Sequence, residues 1–166
     1  MDYVKTILVT GGSSGLGQAI CKLLAAQGHT VYGTGRSVQD GEQVHGCTLL
    51  AMDVTDEGSV QRTVDRIMAD NKRIDVLVNN AGLGIQGPAE DIAPAMAAQL
   101  FDVNVLGPHR VCRAVLPHMR AARKGLIINI SSVAANFGLP YRAFYSASKA
   151  ALDRYSEALS TEVARF

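Results

Sequence analysis

Two side chains of this 166-residue chain stand at a spacing that chemistry can use: Tyr145 and Lys149, four positions apart. On a helix, residues i and i+4 share a face one turn apart, so a phenol and an ammonium would lie side by side. A free tyrosine has a pKa of about 10, and a cation held beside it favours the phenolate; the pair can then give and take a proton near neutral pH. Tyr-x-x-x-Lys also arises by chance on solvated helix surfaces, so its setting matters. Ser132 comes 13 residues earlier, just after the apolar run Leu126-Ile127-Ile128-Asn129-Ile130. If that run is a strand, Ser132 lies beyond its carboxyl end, where open α/β sheets bind ligands. A hydroxyl there can hold a substrate oxygen; the alternative is a Ser131-Ser132 pair that caps backbone groups.

A second constellation opens the chain. Thr10-Gly11-Gly12-Ser13-Ser14-Gly15-Leu16-Gly17 follows the apolar run Ile7-Leu8-Val9 and precedes a pattern in which Ile20, Leu23 and Leu24 recur at i, i+3 and i+4. Strand, glycine turn and helix in that order let the backbone approach a pyrophosphate closely and aim a helix N-terminus at it. Gly11, Ser13, Ser14, Gly15, Leu16 and Gly17 are therefore read as a phosphate-binding loop. No Gly-Lys-Ser/Thr follows, which disfavours a Walker loop and triphosphate hydrolysis. At the end of the second strand, where an NAD-binding unit usually places an acid for the ribose hydroxyls, the sequence reads Thr34-Gly35-Arg36-Ser37. A guanidinium with no carboxylate suits a 2′-phosphate, so NADP(H) is expected over NAD(H), with Arg36 as its reader; the alternative is a solvated turn arginine.

The elements that must position these groups alternate between short apolar runs and longer helical patterns. Strands are expected at Ile7–Val9, Thr30–Thr34, Thr48–Met52, Ile74–Val78 and Leu126–Ile130, the last apolar enough to be buried on both faces. Val60, Val64, Ile67 and Met68 make a helical stripe over Glu57–Asn71. Gly35–Gly46 reads as loop. A long helical pattern spans about Ala95–Ala122, with breaks or kinks expected at Pro108 and Pro117, and a final helix starts near Tyr141. The whole reads as one domain, α/β, a doubly wound parallel sheet of about five strands.

Composition narrows the partners. The chain is 48% hydrophobic, and 16 Lys+Arg against 15 Asp+Glu leave a net charge of +1 with no basic stripe, so no nucleic acid is expected. No run of about 18 apolar residues occurs, and Met1 leads into a mixed stretch without a signal pattern; a soluble, cytoplasmic protein with no membrane span is expected. Cys21, Cys47 and Cys112 are isolated from one another, and His29, His45, His109 and His118 lack ligand spacing. Reduced core thiols and no metal are the expectation.

Taken together, these motifs resemble the short-chain dehydrogenase/reductase family over essentially the whole chain: T-G-x-x-x-G-x-G at Thr10–Gly17, Asp53-Val54, N-N-A-G at Asn79–Gly82, Asn104, Ser132 and Tyr145-x-x-x-Lys149. The resemblance implies a Rossmann-like sheet in order 3-2-1-4-5 and an oxidoreductase that interconverts a carbonyl and an alcohol by hydride transfer. It makes Tyr145 the general acid/base, with Lys149 lowering its pKa and holding the nicotinamide ribose. Ser132 would position the substrate oxygen, and Asn104 would support a proton relay. Asp53 and Val54 would contact the adenine, and Asn79, Ala81 and Gly82 would line the cofactor cleft. It also implies a homodimer or homotetramer through the helices carrying Asn104 and Tyr145. Family members generally run longer and add two strands and a substrate lid after the catalytic helix. Their lack here makes the fifth strand an expected sheet edge and raises an alternative, a catalytically weak nucleotide-binding or oligomerising module.

Overall fold

The computed structural model describes residues 4–165; the reading of Met1 lies outside them. β1 (Thr6–Val9) is the centre of a sheet whose other strands are β2 (Thr30–Gly35), β3 (Gln43–Val44), β4 (Cys47–Ala51), β5 (Val76–Asn79) and β6 (Leu126–Asn129). They are ordered β3-β4-β2-β1-β5-β6. All pairings are parallel except that of β3 with β4. This is the expected doubly wound sheet with one strand more.

Every residue of β1 is buried because helices cover both of its faces. Leu8 points to one side, where Leu50 and Leu77 of the neighbouring strands meet Val60, Val64 and Ile67 of α2 (Glu57–Asn71). Val111 and Val115 of α4 (Gly107–Ala122) complete that layer. Ile7 and Val9 point to the other side, joining Val31, Cys47, Val76 and Val78 against Cys21 of α1 (Gly15–Ala26). α5 (Ala143–Val163) packs Tyr155 and Leu159 on the layer that holds Leu8, and α3 (Pro94–Phe101) lies against α5.

Three expectations are corrected. Part of the segment read as loop, Gly35–Gly46, forms β3, a two-residue strand hairpinned to β4. Its turn residues His45 and Gly46 both have positive φ, at 52° and 80°, the conformation that two-residue hairpins need. The long helical stretch breaks before Pro108 and not after it. A π-helical turn, Asp102–Leu106, separates α3 from α4, and Pro108 then falls in the first turn of α4, where a missing N–H costs nothing. Pro117 sits inside α4, which runs on to Ala122. Finally, β6 is not buried on both faces: Leu126 is 51% and Ile128 39% exposed. Among the described residues β6 pairs only with β5.

Candidate active site

The glycine loop is shaped by close approach. Gly11 and Gly15 occupy the left-handed region, at φ 67° and 52°. A side chain on Gly17 would collide with the Gly11 carbonyl oxygen, and one on Gly12 would stand 2.6 Å from the Gly33 Cα. A Cβ on Gly15, by contrast, would meet nothing within 4 Å, so the loop faces open space on that side. Ser14 is the N-cap of α1 in extended conformation, with no side-chain cap and no acid in the first turn. The first N–H groups of α1 therefore have no partner from the cap side chain, as an anion requires. Ser13 packs beside Gly35, and Leu16 is 60% exposed at the rim. A diphosphate fits this cradle.

The loop is clamped from β5. The Thr10 hydroxyl oxygen, with Thr10 only 1% exposed, accepts hydrogen bonds from the backbone N–H groups of Asn80 and Ala81, both at 3.0 Å. The Asn80 amide donates back to the carbonyls of Thr10 (3.0 Å) and Gly11 (3.3 Å). Thr10 and Asn80 are thus structural partners that motif reading passed over in favour of their neighbours. Asn79 faces the other way. Its amide donates to Asn129 of β6 (2.8 Å) and to the Cys112 sulfur (3.5 Å), so it ties β5 to β6 and α4 beneath the cleft.

Arg36, Asp53, Asp40, Met52, Arg62 and Arg66 line a cleft of about 480 Å³ at the carboxyl ends of β2 and β4. Asp53 accepts hydrogen bonds from the Thr55 N–H (2.9 Å) and hydroxyl (2.8 Å). The Thr55 N–H is the largest influence holding its carboxyl below the usual range; burial opposes it, and the Thr55 hydroxyl, Arg36 and Arg110 add to it. Val54 is buried against Gly107, where a side chain would stand 2.9 Å from its Cγ2.

The second half of the site hangs on α5. Lys149 is 6% exposed; its Nζ donates to the Ile130 carbonyl at 2.7 Å and lies 6.0 Å from the centre of the Tyr145 ring. Burial pushes the Lys149 pKa down, with Asp153 partly offsetting it. The Arg142 guanidinium carbon lies 5.9 Å from the centre of the same ring. Asn104 is fully buried in the π-helical turn, the kind of local bulge that re-aims a side chain. It accepts from the Leu83 N–H (2.7 Å) and donates to the Leu83 carbonyl (2.9 Å) and the Ser148 hydroxyl (3.1 Å). Gly82 sits between the two groups: a Cβ there would be 3.5 Å from Asn104 Oδ1 and 3.8 Å from Lys149 Nζ. The Ser132 hydroxyl accepts from the Ala134 N–H at 3.2 Å, the capping role left open by the sequence, and keeps its own proton to donate.

The structure therefore brings Tyr145, Lys149, Gly82 and Asn104 to one place and the glycine loop, Ala81 and Asn80 to the adjoining one. Another cavity of about 620 Å³ lies between α4, α5 and β6; no residue of this constellation lines it. Among the described residues no group of three His, Cys, Asp or Glu could hold a metal, and no helix is long and apolar enough to cross a membrane.

A parallel sheet with a glycine loop between β1 and α1 and helices on both faces is a Rossmann-like fold. The short chain dehydrogenase family model matches residues 5–166, and the chain belongs to that family. It is 46% identical over 160 residues to 3-ketodihydrosphingosine reductase of Bacteroides thetaiotaomicron, covering 96% of this chain and 59% of that protein. It is 37% identical to cyclopentanol dehydrogenase of a Comamonas species, over 98% of this chain and 68% of the relative. A metagenomic short-chain oxidoreductase crystallised in complex with NADP superposes with a TM-score of 0.87 at 33% identity, over 96% of this chain and 76% of its own. The chain thus spans just under three-fifths of the Bacteroides reductase.

Proposed function

We propose that the chain is the cofactor-binding and acid–base part of an NADP(H)-dependent oxidoreductase that interconverts a ketone or aldehyde and its alcohol. The observation that carries this reading is the placement of Tyr145 beside the buried Lys149 ammonium, at the rim where Gly82 and Asn104 meet. The names of two relatives, a keto-compound reductase and a cyclic-alcohol dehydrogenase, agree with that chemistry.

Gly11, Ser13, Ser14, Gly15, Leu16 and Gly17 would hold the diphosphate, Asp53 and Val54 the adenine side, and Ala81 and Gly82 the inner wall. Arg36, just past the end of β2 in the cleft it shares with Asp40, Asp53, Arg62 and Arg66, would take the 2′-phosphate and so prefer NADP(H). When bound, the dinucleotide supplies or accepts the hydride. In reduction Tyr145 gives its hydroxyl proton to the substrate oxygen; in oxidation it takes one back. Lys149, fixed by the Ile130 carbonyl, keeps a cation beside the phenol as it loses its proton. Ser132 donates its hydroxyl proton to the same substrate oxygen. Asn104 pins the Leu83 segment against α5 and would support the return of a proton to Tyr145.

Turnover of simple ketones with NADPH tests the assignment. Y145F should lower kcat by about 10²- to 10⁴-fold, the usual contribution of a positioned acid/base, while NADPH still binds. R36Q should weaken NADPH and leave NADH unchanged. A wild-type chain that binds NADPH but turns over no carbonyl supports the alternative nucleotide-binding module, and an active Y145F removes the tyrosine from the reaction.

A further inference from the structure

Cys21 and Cys47 are 26 positions apart in sequence, yet both sulfurs converge on the face of Gly33. A Cβ on that glycine would stand 3.0 Å from the Cys21 sulfur and 3.2 Å from the Cys47 sulfur, so the missing side chain of β2 is the space the two thiols share. The Cys47 thiol donates to the Thr48 carbonyl at 3.7 Å. Both are free, at 2% and 1% exposed. Directly above, Gly12 of the loop packs on Cys21: a Cβ there would be 2.8 Å from its sulfur. The third cysteine, Cys112, is equally buried but neighbours Asn79 and Tyr155 and has no thiol beside it.

We propose that Cys21 and Cys47 form an oxidisable dithiol site beneath the glycine loop, where a hydroperoxide converts the two thiols to a disulfide and loosens the loop's grip on a dinucleotide. The Cys47 thiolate attacks one peroxide oxygen. The O–O bond of hydrogen peroxide breaks, leaving Cys47 as a sulfenic acid, and the departing hydroxide takes the proton that Cys47 gave up and leaves as water. The Cys21 sulfur then attacks the Cys47 sulfur and expels hydroxide, which takes the Cys21 proton. Two thiols and one peroxide become one disulfide and two waters. Cys47 suits the first role: the neighbouring Cys21 thiol is the largest influence on its pKa and lowers it, burial opposes this, and a backbone hydrogen bond at Gly33 adds to the lowering. Cys21 is pushed up in turn and stays protonated until the second step. Peroxide is small enough to enter when the loop opens locally. Closing the bond draws the sulfurs to about 2.05 Å. The Cys21 sulfur then shifts from the position in which it packs against Gly12.

The disulfide does not depend on the function proposed above; the loss of dinucleotide affinity does. Treating the folded chain with hydrogen peroxide should give a Cys21–Cys47 cross-linked peptide and a mass loss of about 2 Da, reversed by dithiothreitol. NADPH affinity should fall about tenfold or more in the oxidised chain and recover on reduction. C21A and C47A should each form no cross-link and keep their affinity under peroxide. Peroxide that leaves both thiols open to alkylation after denaturation, or that pairs either with Cys112, overturns the site. A cross-link with unchanged NADPH affinity overturns its effect on the loop. A reduced wild-type chain that binds no NADPH counts against the proposed function, while the peptide map still decides the dithiol.

Discussion

Replacing Thr10 by valine tests how the glycine loop is held. Valine keeps the shape and the methyl but removes the oxygen that accepts from the Asn80 and Ala81 N–H groups. A buried donor left without an acceptor costs about 1–3 kcal/mol; Asn80 and Ala81 are half-buried, so water recovers part, and T10V should lose about 2–3 kcal/mol in all. T10S keeps the oxygen and gives up one buried methyl, at about 1 kcal/mol. Urea unfolding reads the difference: with a slope of about 2 kcal/mol/M, T10V should unfold about 1 M earlier than wild type at an unchanged slope. A T10V chain as stable as wild type, or T10S falling below T10V, would show that packing and not this pair of hydrogen bonds fastens β5 to the loop.

Two further outcomes follow from the same part of the molecule. Asp53 has a folded pKa below its unfolded value, so the stability it contributes is present above about pH 3.9 and is lost as pH falls through the folded value. D53N should therefore be about 1 kcal/mol less stable than wild type at pH 7, a figure trimmed for partial exposure, and the gap should close in acid melts below about pH 4. Gly17→Ala gains helix propensity worth about 1 kcal/mol, but its methyl meets the Gly11 carbonyl. Net destabilisation of about 1–2 kcal/mol in thermal unfolding is expected, with weaker NADPH binding by calorimetry.

β1, β2, β4 and β5 are legible because each is a short apolar run, and the glycine loop and the Tyr145-Lys149 face because both are local patterns. What escaped was non-local or carried no period. β3 is two residues, Gln43 and Val44, with no alternation to read. The π-helical turn around Asn104 keeps a helical pattern of residue types, so nothing marked the bulge. An apolar strand reads the same at the edge as in the middle, so burial of β6 was overestimated. Thr10 and Asn80 are ordinary polar residues whose meaning lies in a partner 70 positions away. The Cys21–Cys47 pair was hidden likewise, since separate cysteines declare nothing until Gly33 brings them together.

The central place of β1 has a temporal side. Thr6 donates its N–H to the Asp75 carboxylate, and the Thr10 hydroxyl oxygen accepts from the Asn80 and Ala81 N–H groups, partners 69 to 71 positions downstream. Closing so long a loop is entropically dear and comes late, after the adjacent β1–α1–β2 unit can already pair. A chain emerging from the ribosome thus carries a bent but unlatched glycine turn until Ala81 is synthesised and free, and β5 docking is the moment at which the nascent domain acquires its ligand cradle.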